Sequence, residues 1–322
     1  MNKVIKIGNV EIKSILCAAP LAGITDTVFR QIIRRYSPQC LLVTEMLSSE
    51  ALVQRPHGAI LESSDSESPV SYQIVGHKPD IMLKAAKFLE DKADIIDINM
   101  GCPVNKVVKG TDGCALMRDS KLAQTLVKTL KDNISKPVTV KFRLGINQES
   151  KNFIEFGQLM QEAGADAITL HGRTRAQMYS GHSDWSAIAE LKKNVDIPVY
   201  ANGDIVSVET ACACLEITGA DGIAIGRGMI GNPFLFAQIE QFFSGVDDIK
   251  QPSISEKMQV LKEHLDGEIA LRGEENGIKY VRKFYSFYIR GIPNAAAYRQ
   301  KLVVEENYDK IINTIEELVS NG

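Results

Sequence analysis

The chain has 322 residues, of which 40 are acidic and 37 are basic, so its formal net charge at pH 7 is −3. This near balance excludes an overall basic field that would draw the protein to polyanions, and any nucleic-acid surface has to be a local patch. A chain of this length buries a large core, enough for one barrel-sized domain and a smaller second one.

The spacing of the cysteines and the polarity of the first residues indicate in which cellular compartment the protein works. The six cysteines form no Cys-x-x-Cys pair and no paired zinc spacing, so we expect no metal site and a reduced thiol chemistry. The opening segment 1–14 is too polar for a signal peptide, and no apolar run is long enough to span a bilayer. These features favour a cytoplasmic protein without a membrane segment.

A regular alternation of strand-length and helix-length segments organises most of the chain. Residues 3–13 predict a short hairpin. Apolar segments of strand length then alternate with helical patterns, except that 48–62 is less regular. The predicted strands are 15–20, 41–46, 70–75, 95–99, 138–143, 167–171, 198–202 and 222–226. The predicted helices between them are 26–36, 78–91, 120–133, 151–163, 184–194, 207–217 and 232–243.

This alternation predicts an α/β fold built on a parallel sheet, because parallel strands need crossover connections. Eight strands within roughly 230 residues fit a closed TIM (β/α)8 barrel better than an open sheet. An open doubly wound sheet more often carries Gly-x-Gly-x-x-Gly after its first strand. The corresponding turn here is Pro20-Leu21-Ala22-Gly23.

The most unusual stretch is 96–113, in which an apolar strand breaks at Asn99 and runs into Gly101, Cys102 and Pro103. Glycine lets the backbone turn there, and proline fixes φ and blocks a helix. A single cysteine is usually a small buried hydrophobe. Cys102, however, follows the end of a predicted barrel strand, where such barrels place their active sites. It is therefore a candidate catalytic thiol.

Polar residues follow the other predicted strands at the same end. Lys141 and Arg143 alternate with apolar neighbours, so both point to the barrel mouth or lumen, where a charge without a ligand is costly to bury. The glycines after strands seven and eight lie where these barrels commonly bind phosphate. The polar set comprises Glu45, Gln73, Asn99, Cys102, Lys141, Arg143, His171, Arg173, Asn202, Gly203, Asp204, Gly226 and Arg227.

The pattern changes after the barrel, and we predict three parts: a barrel domain at 1–243, a linker at 244–254 and a helical domain at 255–322. A capping box, Ser253-x-x-Glu256, opens the first helix. Further helices are predicted at 276–290, 294–305 and 306–319. Basic and aromatic residues are interleaved on the second of these four helices, which suits RNA, although the aromatics also suit a core. The basic candidates are Lys279, Arg282, Lys283 and Arg299.

The sequence resembles the tRNA-dihydrouridine synthases over nearly its whole length, and within this family it resembles the bacterial branch called DusB. The motifs occur in the right order, and the strongest is the segment 96–116 with its Gly-Cys-Pro. The others are AAPLAGITDTVFR (18–30), VTEM (43–46), QIVG (73–76), VKFRLG (140–145), LHGRTRAQMYSG (170–181), ANGDI (201–205), GADGIAIGRGMIGNPFLF (219–236), RKFYSFYIRG (282–291) and AYRQ (297–300).

The resemblance implies an FMN-binding TIM barrel with a helical tRNA-binding domain. The implied reaction is reduction of the C5–C6 double bond of uridine in the tRNA D-loop, with NADPH or NADH as reductant. Hydride goes to C6 and Cys102 protonates C5, which requires a thiol that stays protonated. By the same resemblance we expect a monomer, and tRNA contacts by local patches including Lys106 and Lys109.

The resemblance also implies roles for individual residues. Lys141 would lie by the flavin and tune it, and Asn99 would hold the uracil edge. The other implied FMN-binding residues are Pro20, Leu21, Ala22, Gln73, His171, Asn202, Gly203, Asp204, Gly226 and Arg227. Arg143, Arg173 and Tyr179 would lie near the uridine or its phosphates.

Two alternatives remain open on the sequence. A dihydroorotate-dehydrogenase-like flavoenzyme shares the barrel, FMN and an Asn-x-x-Cys-Pro motif, but it has no need of a basic helical tail. A tRNA-binding protein whose barrel no longer catalyses is the second, although Asn99, Cys102 and Lys141 are all present. Oxidation of dihydroorotate without tRNA would support the first, and bound flavin that NADPH cannot reduce would support the second.

Overall fold

The computed structural model describes residues 4–54, 61–104 and 111–321. Lys106 and Lys109, predicted as part of an RNA patch, lie outside the described residues. Among the described residues, no helix is both long enough and apolar enough to cross a membrane.

Eight parallel strands close into a barrel, which confirms the predicted TIM-barrel fold. The strands are β3 (Leu16–Ala18), β4 (Leu41–Val43), β5 (Leu47–Ser48), β6 (Val70–Val75), β7 (Ile95–Met100), β8 (Val138–Arg143), β9 (Ala167–His171), β10 (Val199–Asn202) and β11 (Gly222–Ile225). Pairing runs β3–β4–β6–β7–β8–β9–β10–β11 and returns from β11 to β3. The short strand β5 lies beside the carboxyl end of β6.

Helices surround the barrel and continue beyond it. The segment after β4, which lacked a regular pattern, contains β5 and a short helix. The helices are α1 (Thr27–Tyr36), α2 (Ser49–Gln54), α3 (Pro79–Leu89), α4 (Ser120–Lys131), α5 (Phe153–Glu162), α6 (Trp185–Lys193), α7 (Val208–Thr218), α8 (Phe234–Phe243), α9 (Ile254–Arg272), α10 (Glu274–Tyr288), α11 (Ala295–Val304) and α12 (Tyr308–Ser320).

The predicted first strand, 15–20, ends early for a chemical reason. The backbone N–H of Ala19 still donates to Ile225 at 2.9 Å. Pro20 has no N–H to continue the ladder, so the chain leaves the sheet there. The backbone of this turn is thereby directed across the barrel mouth.

The N-terminal hairpin, β1 (Ile5–Ile7) and β2 (Val10–Ile12), contributes to the inside of the barrel. Ile5, Ile7 and Ile12 are buried in one cluster with inward-facing strand residues such as Tyr200. The hairpin therefore covers apolar residues of the barrel interior, whereas the polar cavity described below lies at the carboxyl ends of the strands.

The helices α9 to α12 pack against the barrel through α1. The ring of Phe29 on α1 lies 6.2 Å from Phe284 and 5.8 Å from His264. Beside these rings, Arg272 donates to Asp26 at 2.6 Å, and the Asp26 side chain is fully buried. The predicted capping box of α9 is present, with Ser253 capping the backbone N–H of Glu256. The helical region is therefore fixed to the barrel by a buried apolar and ionic interface.

Candidate active site

A cavity of about 1010 Å³ lies at the carboxyl ends of the strands. The barrel residues predicted for the site line it with the exception of Glu45, whose carboxylate instead accepts from the backbone N–H of Gly23. Strand register explains why they meet. Asn99 is the neighbour of Lys141, and His171 is the neighbour of both Arg143 and Asn202. The lining residues predicted from sequence are Pro20, Leu21, Ala22, Gln73, Asn99, Cys102, Lys141, Arg143, His171, Arg173, Tyr179, Asn202, Gly203, Asp204, Gly226 and Arg227.

A chain of hydrogen bonds runs from the barrel interior to Cys102. Asp97 is buried and accepts from Gln73 Nε2 at 2.7 Å and from Thr139 Oγ1 at 2.6 Å. Gln73 Oε1 in turn accepts from Asn99 Nδ2 at 2.7 Å. Asn99 Oδ1 then accepts from the backbone N–H of Cys102 at 2.8 Å. The Asp97 carboxylate can only accept hydrogen bonds, so Gln73 turns its NH2 group toward Asp97 and its oxygen toward Asn99. Asn99 then turns its NH2 group toward Gln73 and its oxygen toward the Cys102 backbone, so the carboxylate fixes the orientation of both amides.

Cys102 is held in a half-buried position at the cavity wall. Its carbonyl accepts from the backbone N–H of Cys114 at 3.2 Å. Burial raises the pKa of the Cys102 thiol, against the opposing effects of the Val104 backbone N–H and the Arg143 guanidinium. The group is therefore a thiol rather than a thiolate at neutral pH, which is the form that can donate a proton.

Lys141 carries its ammonium group into the same cavity. Its Nζ donates to Asn202 Oδ1 at 3.0 Å, and Asn202 Nδ2 donates to the carbonyl of Ala224 at 2.7 Å. Burial and the nearby charge of Arg143 lower the pKa of Lys141 to about 8, while Asp97 acts in the opposite direction. The amine is thus held near the barrel axis with N–H groups to spare for a ligand.

Arg143 is tied down by backbone carbonyls. Its guanidinium donates to Gly101 at 3.0 Å, to Thr174 at 3.1 Å and to Met178 at 2.8 Å. It also lies 5.6 Å from the ring centre of Tyr179. The guanidinium therefore joins the Cys102 loop to the loop after β9 and supplies positive charge at the cavity wall.

Arg173 and Asp204 form a paired unit beside it. Arg173 Nη2 donates to both carboxylate oxygens of Asp204, at 2.8 and 2.7 Å, and Arg227 reaches the same carboxylate at 3.4 Å. Burial alone would raise the pKa of Asp204, but the Arg173 hydrogen bonds and the Ser183 backbone N–H outweigh it and lower the pKa. Asp204, predicted as a cofactor contact, is therefore already occupied by two arginines.

His171 lies between these cations. Burial lowers its pKa well below the ordinary value, and Lys141, Arg143 and Arg173 add to the effect. The imidazole is consequently neutral at pH 7. One ring nitrogen is then an acceptor and the other a donor.

The loop after β11 contains three glycines, and a side chain at each position would have a different consequence. A Cβ on Gly226 would meet only Asn202 Nδ2, at 4.0 Å, so this face is open to the cavity. A Cβ on Gly228 would lie 2.2 Å from the carbonyl of Ile205. Gly231 has φ +66°, and its Cβ would lie 2.7 Å from the backbone of Phe287. The loop can therefore approach a ligand at one end and packs against α10 at the other.

The helical region supplies cavity residues that the sequence reasoning missed. The prediction assigned α10 to RNA, but its carboxyl end closes one side of the cavity. Nothing in the local sequence of α10 indicates that this face lines the cavity. The face is determined by tertiary packing, because the loop after β11 packs on the helix there. The added residues are Gln251, Pro252, Lys257, Phe287, Tyr288 and Arg290.

The four predicted tRNA-binding residues lie outside the cavity. Lys279 pairs with Glu275 at 2.5 Å, and Arg282 donates to Glu306 at 3.2 Å. Lys283 Nζ lies 3.1 Å from the ring centre of Tyr280. Arg299 is exposed on α11. The first two are thus partly neutralised by nearby carboxylates, whereas Lys283 and Arg299 have no ion pair among the described residues.

Fold and cavity together define a (β/α)8-barrel protein with a cationic active-site-like pocket partly enclosed by C-terminal helices. A family model described as dihydrouridine synthase (Dus) matches residues 17–320. The chain belongs to the dihydrouridine synthase family, which confirms the resemblance seen in the motifs. No group of three or more His, Cys, Asp or Glu side chains suited to a metal occurs within the described ranges.

Relatives named as tRNA-dihydrouridine synthases are similar to this chain over most of its length. A probable tRNA-dihydrouridine synthase 1 from Synechocystis sp. is 44% identical over 302 residues, which cover 93% of this chain and 85% of the relative. tRNA-dihydrouridine synthase B from Vibrio cholerae is 38% identical over 319 residues, 98% of this chain and 99% of the relative. The corresponding protein from Shewanella oneidensis is 37% identical over 322 residues, 98% and 100% of the two chains.

Solved structures share the fold at low sequence identity. Histamine dehydrogenase from Rhizobium sp. 4-9 superposes with a TM-score of 0.60 at 13% identity, over 81% of this chain and 50% of that chain. An old yellow enzyme homologue from Zymomonas mobilis gives 0.53 at 15% identity, over 80% and 95%. At these identities the likeness concerns the barrel alone.

Proposed function

We propose that this protein is an FMN-dependent tRNA-dihydrouridine synthase that reduces the C5–C6 double bond of uridine in the D-loop of tRNA with NADPH or NADH. Membership of the family and the names of the relatives support the reaction. The observation that carries it is the convergence of Asn99, Cys102 and Lys141 on one cavity.

The cavity residues fit FMN. Gly226 leaves backbone open toward the cavity beside Asn202, and Arg227 is half exposed next to it, as a phosphate requires. Lys141, at the barrel axis, suits the electron-rich edge of a flavin ring. Pro20, Leu21 and Ala22 offer backbone on the opposite wall. When bound, FMN supplies the hydride that it receives from the reduced nicotinamide and delivers to C6 of uracil.

The residues of the chain have separate tasks in this proposal. Cys102, kept as a thiol by its raised pKa, donates a proton to C5. Arg143 lies close enough to lower the cost of the thiolate that remains. Asn99 uses one amide N–H on Gln73 and keeps the other for a carbonyl of the uracil ring. Lys141 is placed to stabilise negative charge at the reacting rings.

A uridine inside a folded tRNA has to be extruded to reach this cavity. Tyr179 is about half exposed at the cavity wall, between Arg143 and Arg227, whose guanidinium carbon lies 4.8 Å from the ring centre. The ring and the flanking cations suit a base and its phosphates. Phosphate contacts by exposed cations of the helical region, such as Lys283 and Arg299, would select the uridine that reaches the flavin. We propose that the protein acts as a monomer in the cytoplasm.

Incubation with unmodified tRNA, FMN and NADPH, followed by position-by-position mapping of dihydrouridine, tests the proposal. Dihydrouridine at defined D-loop positions is the expected result. A flavin-loaded protein that NADPH reduces, that leaves every tRNA uridine intact and that oxidises free dihydroorotate would overturn it.

A further inference from the structure

The cavity has a second cationic region on its helical side, apart from the barrel residues that fit FMN. Lys257 from the first turn of α9 and Arg290, just after α10, line the same cavity as Cys102 and Lys141. Phe287 also lines the cavity, and the Arg290 guanidinium carbon lies 5.4 Å from its ring centre. Gly231 packs directly on the backbone of Phe287, so this region is continuous with the glycine loop that begins at Gly226.

The charge of the cavity is unbalanced. Asp204 is the only acidic side chain among the described residues that line it, and it is engaged by Arg173. Lys141 donates to Asn202, and Arg143 donates to the carbonyl of Gly101. The cationic lining residues are Lys141, Arg143, Arg173, Arg227, Lys257 and Arg290.

Lys257 and Arg290 make no side-chain hydrogen bond or ion pair within the described part of the chain. One FMN phosphate beside Gly226 and Arg227 does not need them. Two cations without an anionic partner among the described residues, facing one concave space, favour an additional anion there. The cavity volume, about 1010 Å³, lies at the upper end of the range for small-ligand sites and leaves room beyond one flavin.

We propose that Lys257 and Arg290 bind a phosphate group of the nicotinamide dinucleotide during flavin reduction. The inference rests on the function proposed above, because that function requires a reductant to enter this cavity. The nicotinamide has to reach the flavin while its phosphates remain some distance away, and Phe287 offers an apolar surface between the two. The alternative ligand, an RNA phosphate, is less favoured, because Arg143 and Arg227 beside Tyr179 already serve the phosphates of the extruded uridine.

Anaerobic stopped-flow reduction of the FMN-loaded enzyme, without tRNA, tests the assignment. We expect Lys257→Gln and Arg290→Gln each to raise the dissociation constant for NADPH about tenfold, the effect of losing about 1.4 kcal/mol, while the limiting reduction rate is unchanged. Arg290→Lys should recover part of the affinity. The control is Lys310→Gln, which removes one exposed charge on α12 outside the cavity and should change nothing.

NADH and NADPH distinguish the two kinds of phosphate. If the site binds the 2′-phosphate, the variants weaken NADPH only; if it binds the diphosphate, they weaken both. Calorimetry on the oxidised enzyme, in which no turnover occurs, should rank the variants in the same order by their dissociation constants for NADP⁺. Unchanged nicotinamide affinity would overturn the proposal, and a weaker tRNA affinity in the same variants would then assign the region to RNA. Failure of the wild-type protein to form dihydrouridine would be a different result, because it contradicts the function and not the subsite.

Discussion

Asp97 lies beneath the site and touches no substrate, yet the substitution Asp97→Asn should impair the reaction. The carboxylate accepts from Gln73 and from Thr139, at 2.7 and 2.6 Å, and its side chain is buried. An amide of the same shape offers one acceptor and one donor. If the donor faces Thr139, the hydroxyl proton of Thr139 loses its acceptor, but Gln73 and Asn99 keep their orientations. If the donor faces Gln73, the Gln73 amide has to turn over, and Asn99 then faces it donor to donor.

In the second orientation, the change at residue 97 reorients Gln73, and the reoriented Gln73 disturbs Asn99 and the Cys102 loop. Asn99 either loses its bond to Gln73 or turns over and leaves the backbone N–H groups of Gly101 and Cys102 without an acceptor. Each buried donor left unsatisfied costs about 1–3 kcal/mol. A displacement of the Cys102 loop by about 1 Å is enough for a loss of about 10²-fold in rate. For the orientation that turns the Gln73 amide over, we therefore expect a loss of about 2 kcal/mol in stability and about 10²-fold in dihydrouridine formation.

Thr139→Val is the matched control. It removes the donor on the other oxygen of Asp97 and leaves the orientation of Gln73 and Asn99 unchanged. We expect a similar order of destabilisation, about 1 kcal/mol, with little change in rate. Thermal unfolding, FMN content and single-turnover formation of dihydrouridine by the reduced enzyme measure the three quantities. Equal single-turnover rates for Asp97→Asn and Thr139→Val at full FMN occupancy would refute the positioning argument.

Three further predictions concern the site and its surroundings. Cys102→Ala should keep FMN and tRNA binding and lose most dihydrouridine formation in single-turnover assays; full turnover on natural tRNA would exclude the general-acid role. Lys283→Glu with Arg299→Glu should weaken tRNA binding in filter or fluorescence titrations and leave flavin reduction by NADPH intact, whereas unchanged tRNA affinity would remove the helical region as the docking surface. Since the pKa of Lys141 is about 8, its ammonium is present below that pH and lost above it, so FMN affinity measured by fluorescence quenching should fall as pH rises through about 8. Lys141→Met should abolish that pH step, and a step that persists would assign it to another group.

The barrel could be predicted because its strands are short apolar runs with a simple alternation, and its mouth because parallel strands end on one side. Lys141 and Arg143 were placed by the two-residue period of a strand, and the structure has both in the cavity. The positions of Lys257 and Arg290 could not be predicted, because a helix presents one face to the barrel and another to solvent according to tertiary packing alone. The same limit applies to Asp204, whose pairing with Arg173 depends on two loops from different strands.

The helical region does more than carry the proposed RNA-binding residues, since its interface with the barrel contains a buried acidic charge, Asp26, whose cationic partner Arg272 lies on α9. Asp26 caps α1 through the backbone N–H of Phe29 and also accepts from Arg272 of α9, which donates to Glu268 at 2.6 Å. Both carboxylates are fully buried, and removing one partner of such a pair costs about 3–5 kcal/mol. His264, on the next turn of α9, contacts the hydroxyl of Tyr288 at 3.0 Å, and Tyr288 lines the cavity. The contacts that hold the helices on the barrel therefore also hold one wall of the cavity, so we expect a change in how the helices dock to alter both the proposed RNA placement and the shape of the cavity.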